Sequence, residues 1–320
     1  MSRRYLLQRL AQVVPAVLGI LTLAFVIVHT APGDPLLALA GEHGDAAYYA
    51  FMRAKFGLDR PLPEQFLRYL GHTMRGDLGS SFVHGRPVLH ILAERLPATV
   101  LLMVTALALS TVGGVLLGLV AGRGGRWGVD VAIRAATVLG HVLPSFWLAQ
   151  LAALTLGVGT GWFPVQGLTD ARGNFTGWRH ALDVAHHLAL PALVLATGEV
   201  ALLTRLVRSA VRQELRADYV RAARARGLPE GAVVRHALRN TLLPVVTVVG
   251  GRIGMLFTGA VLVEAVFAWP GLGQLLLSSI QTRDLPVLLG MFVLVSVTVI
   301  VANLVTDLAY TRLDPRVRFG

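Results

Sequence analysis

Six apolar runs divide the chain, near Leu10–Val28, Ala98–Ala121, Ala135–Val158, Leu188–Val207, Thr241–Phe267 and Leu285–Tyr310. Each is close to the roughly 20 apolar residues that carry a helix across a bilayer core. Lipid offers the backbone no hydrogen-bond partners, so such runs must close their own bonds as helices. The pattern predicts an all-α integral membrane protein with six transmembrane helices. Two intervening segments are neither apolar enough to cross nor polar enough to be bare loops. Ala31–Pro97 is too long for a plain connection. Its Tyr48, Tyr49, Met52, Phe56, Phe66, Tyr69 and Leu70 predict short helices, broken at Asp59-Arg60-Pro61 and Pro63. Leu275, Leu276, Leu277 and Ile280 predict a short interfacial or re-entrant helix between Pro270 and Asp284. The expected division is residues 1–97, a first span with a small folded cap, and 98–320, a five-helix core with a polar loop at about 209–240.

Within the spans, Gly113-Gly114 and Gly118 favour close helix packing. Pro144 frees a backbone carbonyl and predicts a kink in the third span, suited to the wall of a passage. Trp162-Phe163 and Trp269 fall where interfacial aromatic anchors belong. At the start, Arg3-Arg4, an apolar run and Ala38-Leu39-Ala40 imitate a cleavable signal. The run is longer than a signal core and Pro32, Asp34 and Pro35 intervene, so it is read as a retained first span.

Composition agrees. Apolar residues are 54% and charged residues 15% of the chain, against the roughly 25% charged of a soluble domain. Mean hydropathy is +0.63. The positive charge lies beside alternate ends of the spans: Arg3, Arg4 and Arg9; Arg123 and Arg126; the loop after the fourth run; Arg312, Arg316 and Arg318. The other loops balance acids against bases. Both termini are therefore expected on the cytoplasmic side, and the net charge of +11 reads as topology rather than as a nucleic-acid footprint. The absence of cysteine removes disulfides, thiolate metal sites and cysteine nucleophiles together.

The loop from Leu215 to Pro244 is more patterned than a topology signal requires. Nine arginines between Arg205 and Arg239 face only Glu214, Asp218 and Glu230. Leu215, Tyr219, Ala222 and Ala223 fall at helical spacing, Gly227 breaks that helix and Pro229 opens another. Two small residues followed by a glycine let a second protein approach the backbone closely, so the segment reads as a docking helix.

The same segment resembles the cytoplasmic coupling loop of ATP-binding-cassette importer permeases, whose consensus is Glu-Ala-Ala, three residues, then Gly. Ala222, Ala223 and Gly227 match, Arg221 replaces the Glu, and Leu243-Pro244 arrives four residues late, about one helical turn. That delay marks the dipeptide/oligopeptide/nickel branch. Further matches resemble its first, "B-type" permease: Pro32-Gly33-Asp34-Pro35, Gly76-Asp77-Leu78-Gly79-Ser80, Pro144-Ser145-Phe146-Trp147, Glu264 through Phe267–Gly273, and Leu313-Asp314-Pro315-Arg316. The resemblance implies a type I importer permease (MetI-like) fold in the bacterial inner membrane. It also implies a second homologous permease, two ATPase subunits and an extracytoplasmic solute-binding protein as partners. Asp218, Tyr219, Ala222, Ala223, Gly227, Leu228 and Arg235 are the residues expected to couple to the ATPase. Peptides are the commonest cargo of the branch, with nickel chelates and other small solutes as alternatives.

No Gly-x-x-x-x-Gly-Lys-Ser/Thr phosphate loop occurs, and the one lysine, Lys55, lies in the segment expected outside. No cofactor is expected in this chain; ATP and magnesium belong to the partners. Glu199 and Arg252 are intramembrane charges at similar depth, some 12–13 Å from the inner end of their spans. They are expected to pair or both to line a polar passage, or to serve packing alone. Glu264, near the outer end of the fifth span, either holds the Phe267–Gly273 turn or receives the binding protein. With Pro144, these three are the candidate passage or gate residues. The ten histidines show no His-x-x-x-His pair, so no metal site is expected. An intramembrane enzyme lacks its motifs, and a self-contained carrier or channel has no use for a coupling loop.

Overall fold

The computed structural model describes residues 3–30, 45–124 and 127–313. Pro32–Pro35, Ala38–Ala40, Arg126 and Asp314–Arg318 lie outside them. The elements are helices: α1 Arg3–Thr30, α2 Ala46–Phe56, α3 Leu62–Met74, α4 Val88–Gly122, α5 Trp127–Val142 and α6 Ser145–Ala152, which runs on as a π-helical stretch Ala153–Gly159. Then come α7 Trp178–Glu214, α8 Asp218–Ala225, α9 Glu230–Gly251, α10 Ile253–Val266, α11 Leu272–Thr282 and α12 Leu285–Leu313.

Three of these, α4, α7 and α12, are long and apolar enough to cross a membrane. Two bent pairs add a candidate span each: α5 with α6 and its extension, turning by 104°, and α9 with α10, turning by 56°. The third run is therefore not the kinked helix expected from Pro144. Proline lacks the N–H that would continue α5, and the residue before it is driven out of helical geometry, so α6 starts afresh with Pro144 as its cap. The fifth run is likewise not continuous, because it breaks at Arg252. Residues Leu272–Thr282 do form the short helix expected between Pro270 and Asp284.

One compact unit contains the chain up to Pro97 together with Gly271–Val301. Asp45 caps α2 by accepting from the Tyr48 N–H at 2.7 Å, and α2 ends at Gly57 with φ +67°. Pro61 then opens α3, so the break falls at the expected Asp59–Pro61. Ala24, Phe25 and Val28 of α1 pack with Leu288 and Leu289 of α12 and with Phe66 and Tyr69 of α3. Asp284, 1% exposed, accepts from the Ser81 hydroxyl and from the N–H groups of Phe82 at 3.0 Å and Val83 at 3.3 Å. A Cβ on Gly290 would stand 2.6 Å from Val88 Cγ1, so α12 and the start of α4 are in close contact. These two contacts hold Gly271–Val301 in one unit with the first 97 residues. Asp284→Ala removes the acceptor of the buried Ser81 hydroxyl and of two partly buried N–H groups. Expected is a thermal-stability loss of about 3 kcal/mol in detergent, with Asp284→Asn milder; an Ala variant melting with the parent would refute the staple.

The second unit holds Ala98–Pro270 and, among the described residues, 302–313. α7 is its axis, packed by α5, α6, α9 and α10. Leu102 and Ala106 of α4, Leu190 and Leu195 of α7, and Leu256, Val263, Phe267 and Trp269 after Arg252 share its main core. Trp269 is a correction: it is fully buried and its Nε1–H donates to the Ala98 carbonyl at 2.8 Å, which makes it a core residue and not an interfacial anchor. Val104, Val112 and Leu116 of α4 remain exposed, an apolar face that suits lipid or a partner helix and not water.

Candidate functional site

The polar segment between α7 and α9 folds as a short helix between two turns. α8 packs on α9, and Val220, which the sequence reading did not single out, is fully buried, as is Val233. Gly227, at φ +76°, closes α8 in a Schellman turn: its own N–H bonds the Arg224 carbonyl at 2.9 Å and the Leu228 N–H bonds that of Ala223 at 3.2 Å. Arg224 then reaches across the turn to Glu230, Nη2 to Oε1 at 2.6 Å and Nε to Oε2 at 3.1 Å. Its hydrogen bond holds the Glu230 carboxyl below its ordinary range.

The expected coupling residues divide by this geometry. Ala222 lies on the outward face with Asp218 and Arg221, which pair with each other, whereas Ala223 is partly buried toward the chain. Leu228 and Arg235 are exposed. A Cβ on Gly227 would meet nothing within 4 Å, so the space above the turn is open. The Tyr219 hydroxyl donates to Glu214, and the Asn240 amide reaches both at 3.3 Å. Tyr219 thus ties α8 to the end of α7 and to α9.

Just before this segment, Arg208 forks onto Asp130 at 2.7 and 2.8 Å, with Arg212 at 3.2 Å from the same carboxylate. Bidentate arginine–carboxylate pairs are the geometrically specific ones, so the start of α5 is fastened to the end of α7. In the sequence these arginines read as topology signals. The pair spans 78 positions, and no local pattern reveals such a contact.

The candidate passage residues fall into two places. Pro144 and Glu199 line one cavity of about 290 Å³, together with Gly140, His141, Ser145 and Thr197. Arg252 stands beside Glu199, Nε to Oε2 at 3.1 Å, at the break between α9 and α10. That oxygen is buried and the contact lacks hydrogen-bond geometry, so the two form an ion pair by proximity. Glu264 lies apart from them. It is fully buried and accepts from the Thr99 hydroxyl of α4 at 2.7 Å, while its backbone carbonyl accepts the Trp269 N–H at 2.9 Å. Burial takes its carboxylate off the surface of the chain. Nothing in the sequence pointed to Thr99 or His141. His186 and His187 face different ways, toward the Trp162 carbonyl at 2.8 Å and toward Asp183.

Comparison with known proteins covers the whole chain. Residues 114–319 match the family described as binding-protein-dependent transport system inner membrane component, and residues 2–103 match the N-terminal region of such membrane components. The oligopeptide transport system permease protein AppB of Bacillus subtilis is 38% identical over 317 residues, covering 98% of this chain and 99% of its own. The dipeptide transport system permease protein DppB of Escherichia coli K12 is 37% identical over 336 residues, 98% of both chains. The di/tripeptide permease DppB of Pseudomonas aeruginosa is 36% identical, with the same coverage. With both regions matched in order and relatives of similar length at 36–38% identity, the chain belongs to the binding-protein-dependent transport system inner membrane components.

Proposed function

We propose that this chain is the B-type permease subunit of an ATP-driven importer of di- and oligopeptides, working by alternating access. The observation that carries the reading is α8: a short helix with Ala222 exposed beside the Asp218–Arg221 pair, a glycine turn and open space above it. An ATPase subunit docks there through Ala222, Gly227 and Leu228, while Tyr219, Asp218 and Arg235 set the helix and its rim. Closure of the ATPase dimer on ATP and magnesium moves α8, and the Arg208–Asp130 clamp passes the motion to α5 and α7. The membrane part is a type I permease of six spans with both termini in the cytoplasm, each bent pair making one span. It works beside a second, homologous permease, with two ATPase subunits and an extracytoplasmic binding protein that delivers cargo. Glu199, Arg252 and Pro144 line the passage, and Glu264 holds the turn that closes the fifth span.

The peptide cargo is supported by the relatives, which are oligopeptide, dipeptide and di/tripeptide transport system permeases. Nickel chelates remain the alternative cargo for the same scaffold. Mild-detergent purification of the tagged chain from native membranes is expected to bring down a second permease and ATPases, and vesicles carrying the assembly are expected to take up dipeptide only with ATP. A chain that emerges alone and transports without ATP would establish a secondary carrier instead.

A further inference from the structure

One helix break and one carboxylate meet at the cavity of about 290 Å³, and the break at Arg252 stands beside that carboxylate. α5 stops at Val142, and Pro144 has no N–H to give the Gly140 carbonyl. The last carbonyls of a helix are its electronegative end and attract cations. Gly140, His141, Val142 and Leu143 all line the cavity, so one wall is the end of α5. Glu199 supplies the single carboxylate of the lining, and no lysine or arginine lines it. Its Oε2 is buried without a hydrogen-bond donor although Arg252 stands beside it. Ser145 and Thr197 add hydroxyls, and Val194, Leu195 and Leu256 complete an apolar remainder.

An electronegative wall, a carboxylate, two hydroxyls and a small apolar chamber suit one chemistry: a compact cation with several N–H donors and a short apolar body. A primary ammonium needs about three acceptors set around it, and the carboxylate, hydroxyls and carbonyls offer them. Inorganic cations keep or replace a full oxygen shell, which the apolar side of this chamber does not supply. We propose that the cavity is a subsite for a primary ammonium group, and that it receives the free α-amino end of a peptide cargo. The second half rests on the peptide-importer reading; the first does not.

Arg252 is then the internal counter-ion of Glu199. An ammonium entering the cavity replaces Arg252 beside Glu199, so neither state leaves the intramembrane carboxylate uncompensated, which is costly. Arg252 sits where α9 and α10 turn by 56°, so a change in that angle alters the Arg252–Glu199 distance. Occupancy of the subsite and the geometry of the fifth span are thereby linked.

The test is saturation-transfer NMR on the detergent-purified permease–ATPase assembly without binding protein. Its probes are ethylammonium, alanyl-alanine and N-acetyl-alanyl-alanine. Ethylammonium and alanyl-alanine are expected to bind, and the blocked peptide to bind about tenfold more weakly, the worth of one charge-assisted contact. Arg252→Gln removes the competitor for Glu199 and is expected to tighten ethylammonium binding severalfold, which a packing salt bridge does not predict. The double variant Glu199→Gln with Arg252→Gln keeps the span neutral and is expected to weaken ethylammonium by about tenfold. Equal binding of free and blocked peptide, an Arg252→Gln affinity no tighter than the parent's, or an unchanged double variant would each overturn the subsite. Should ethylammonium follow the expected pattern while vesicles import no dipeptide with ATP, the ammonium subsite stands and the peptide cargo falls.

Discussion

Gly118→Leu is expected to abolish accumulation of the folded permease in membranes. A Cβ at position 118 would stand 2.6 Å from Val207 Cβ and 2.9 Å from the Thr204 carbonyl oxygen, so even the first carbon collides with backbone that cannot turn aside. Gly114 and Gly122 meet α7 in the same way, at 2.4 Å from Leu203 Cβ and 2.9 Å from Val211 Cβ. The three glycines recur every four residues and form one stripe along α4. Small residues at that spacing let two helices close to backbone contact in lipid, where dispersion rather than the hydrophobic effect drives association. Forcing leucine into that contact exceeds the roughly 1–3 kcal/mol of ordinary overpacking. The neighbouring Gly113 is the control, since its Cβ would meet Val200 Cγ2 at an ordinary 3.5 Å. Gly113→Ala is expected to accumulate as the parent does. Quantitative blotting of membranes and size-exclusion of the solubilised protein read both. A Gly118→Leu chain that elutes with the parent at parental abundance would remove the stripe from the fold.

That stripe shows what the sequence carries and what it omits. Gly113-Gly114 and Gly118 stand out in an apolar run, but composition does not say which side of a helix faces a neighbour. Gly122, at the end of the run, is the third member and drew no notice. Element type was legible because apolar runs in lipid have one way to satisfy their backbone. Element length was not: α7 extends to Trp178 and Glu214, well beyond Leu188–Val207, because hydropathy marks where lipid begins and not where helical hydrogen bonds end. Pro144 announced its break and understated it. At Arg252 the only local signal is Gly250-Gly251, and it lies inside an apolar run that reads as continuous. Two short runs can be matched in depth from residue counts, which is why Glu199 and Arg252 could be paired on paper. Thr99 with Glu264 and Asp130 with Arg208 lie 165 and 78 positions apart, and only the folded chain brings them together.

Around α8 the local signals were strongest. A glycine at the αL position after two alanines, followed by proline, prescribes helix, turn and helix with little help from tertiary contacts. The coupling role proposed for that turn leads to the other large effect. Gly227→Asp is expected to assemble at parental levels, hydrolyse ATP, and lose nearly all dipeptide uptake. Aspartate is among the few residues that tolerate φ near +76°, and with nothing within 4 Å of its Cβ the side chain has room in the isolated chain. The cost to folding is therefore small, about 1 kcal/mol. The room it takes is the room an ATPase subunit must enter. A side chain there lifts the docked surface away from Ala222 and Leu228, and the motion of the ATPase dimer no longer reaches Arg208 and Asp130. Gly227→Asn separates shape from charge: it adopts the same backbone at nearly the same size without a carboxylate, and is expected to uncouple as severely. Uptake and ATPase rate measured on the same reconstituted vesicles decide the matter. Parental uptake by Gly227→Asp would show that no partner closes on this turn, and the coupling assignment of α8 would fall with it.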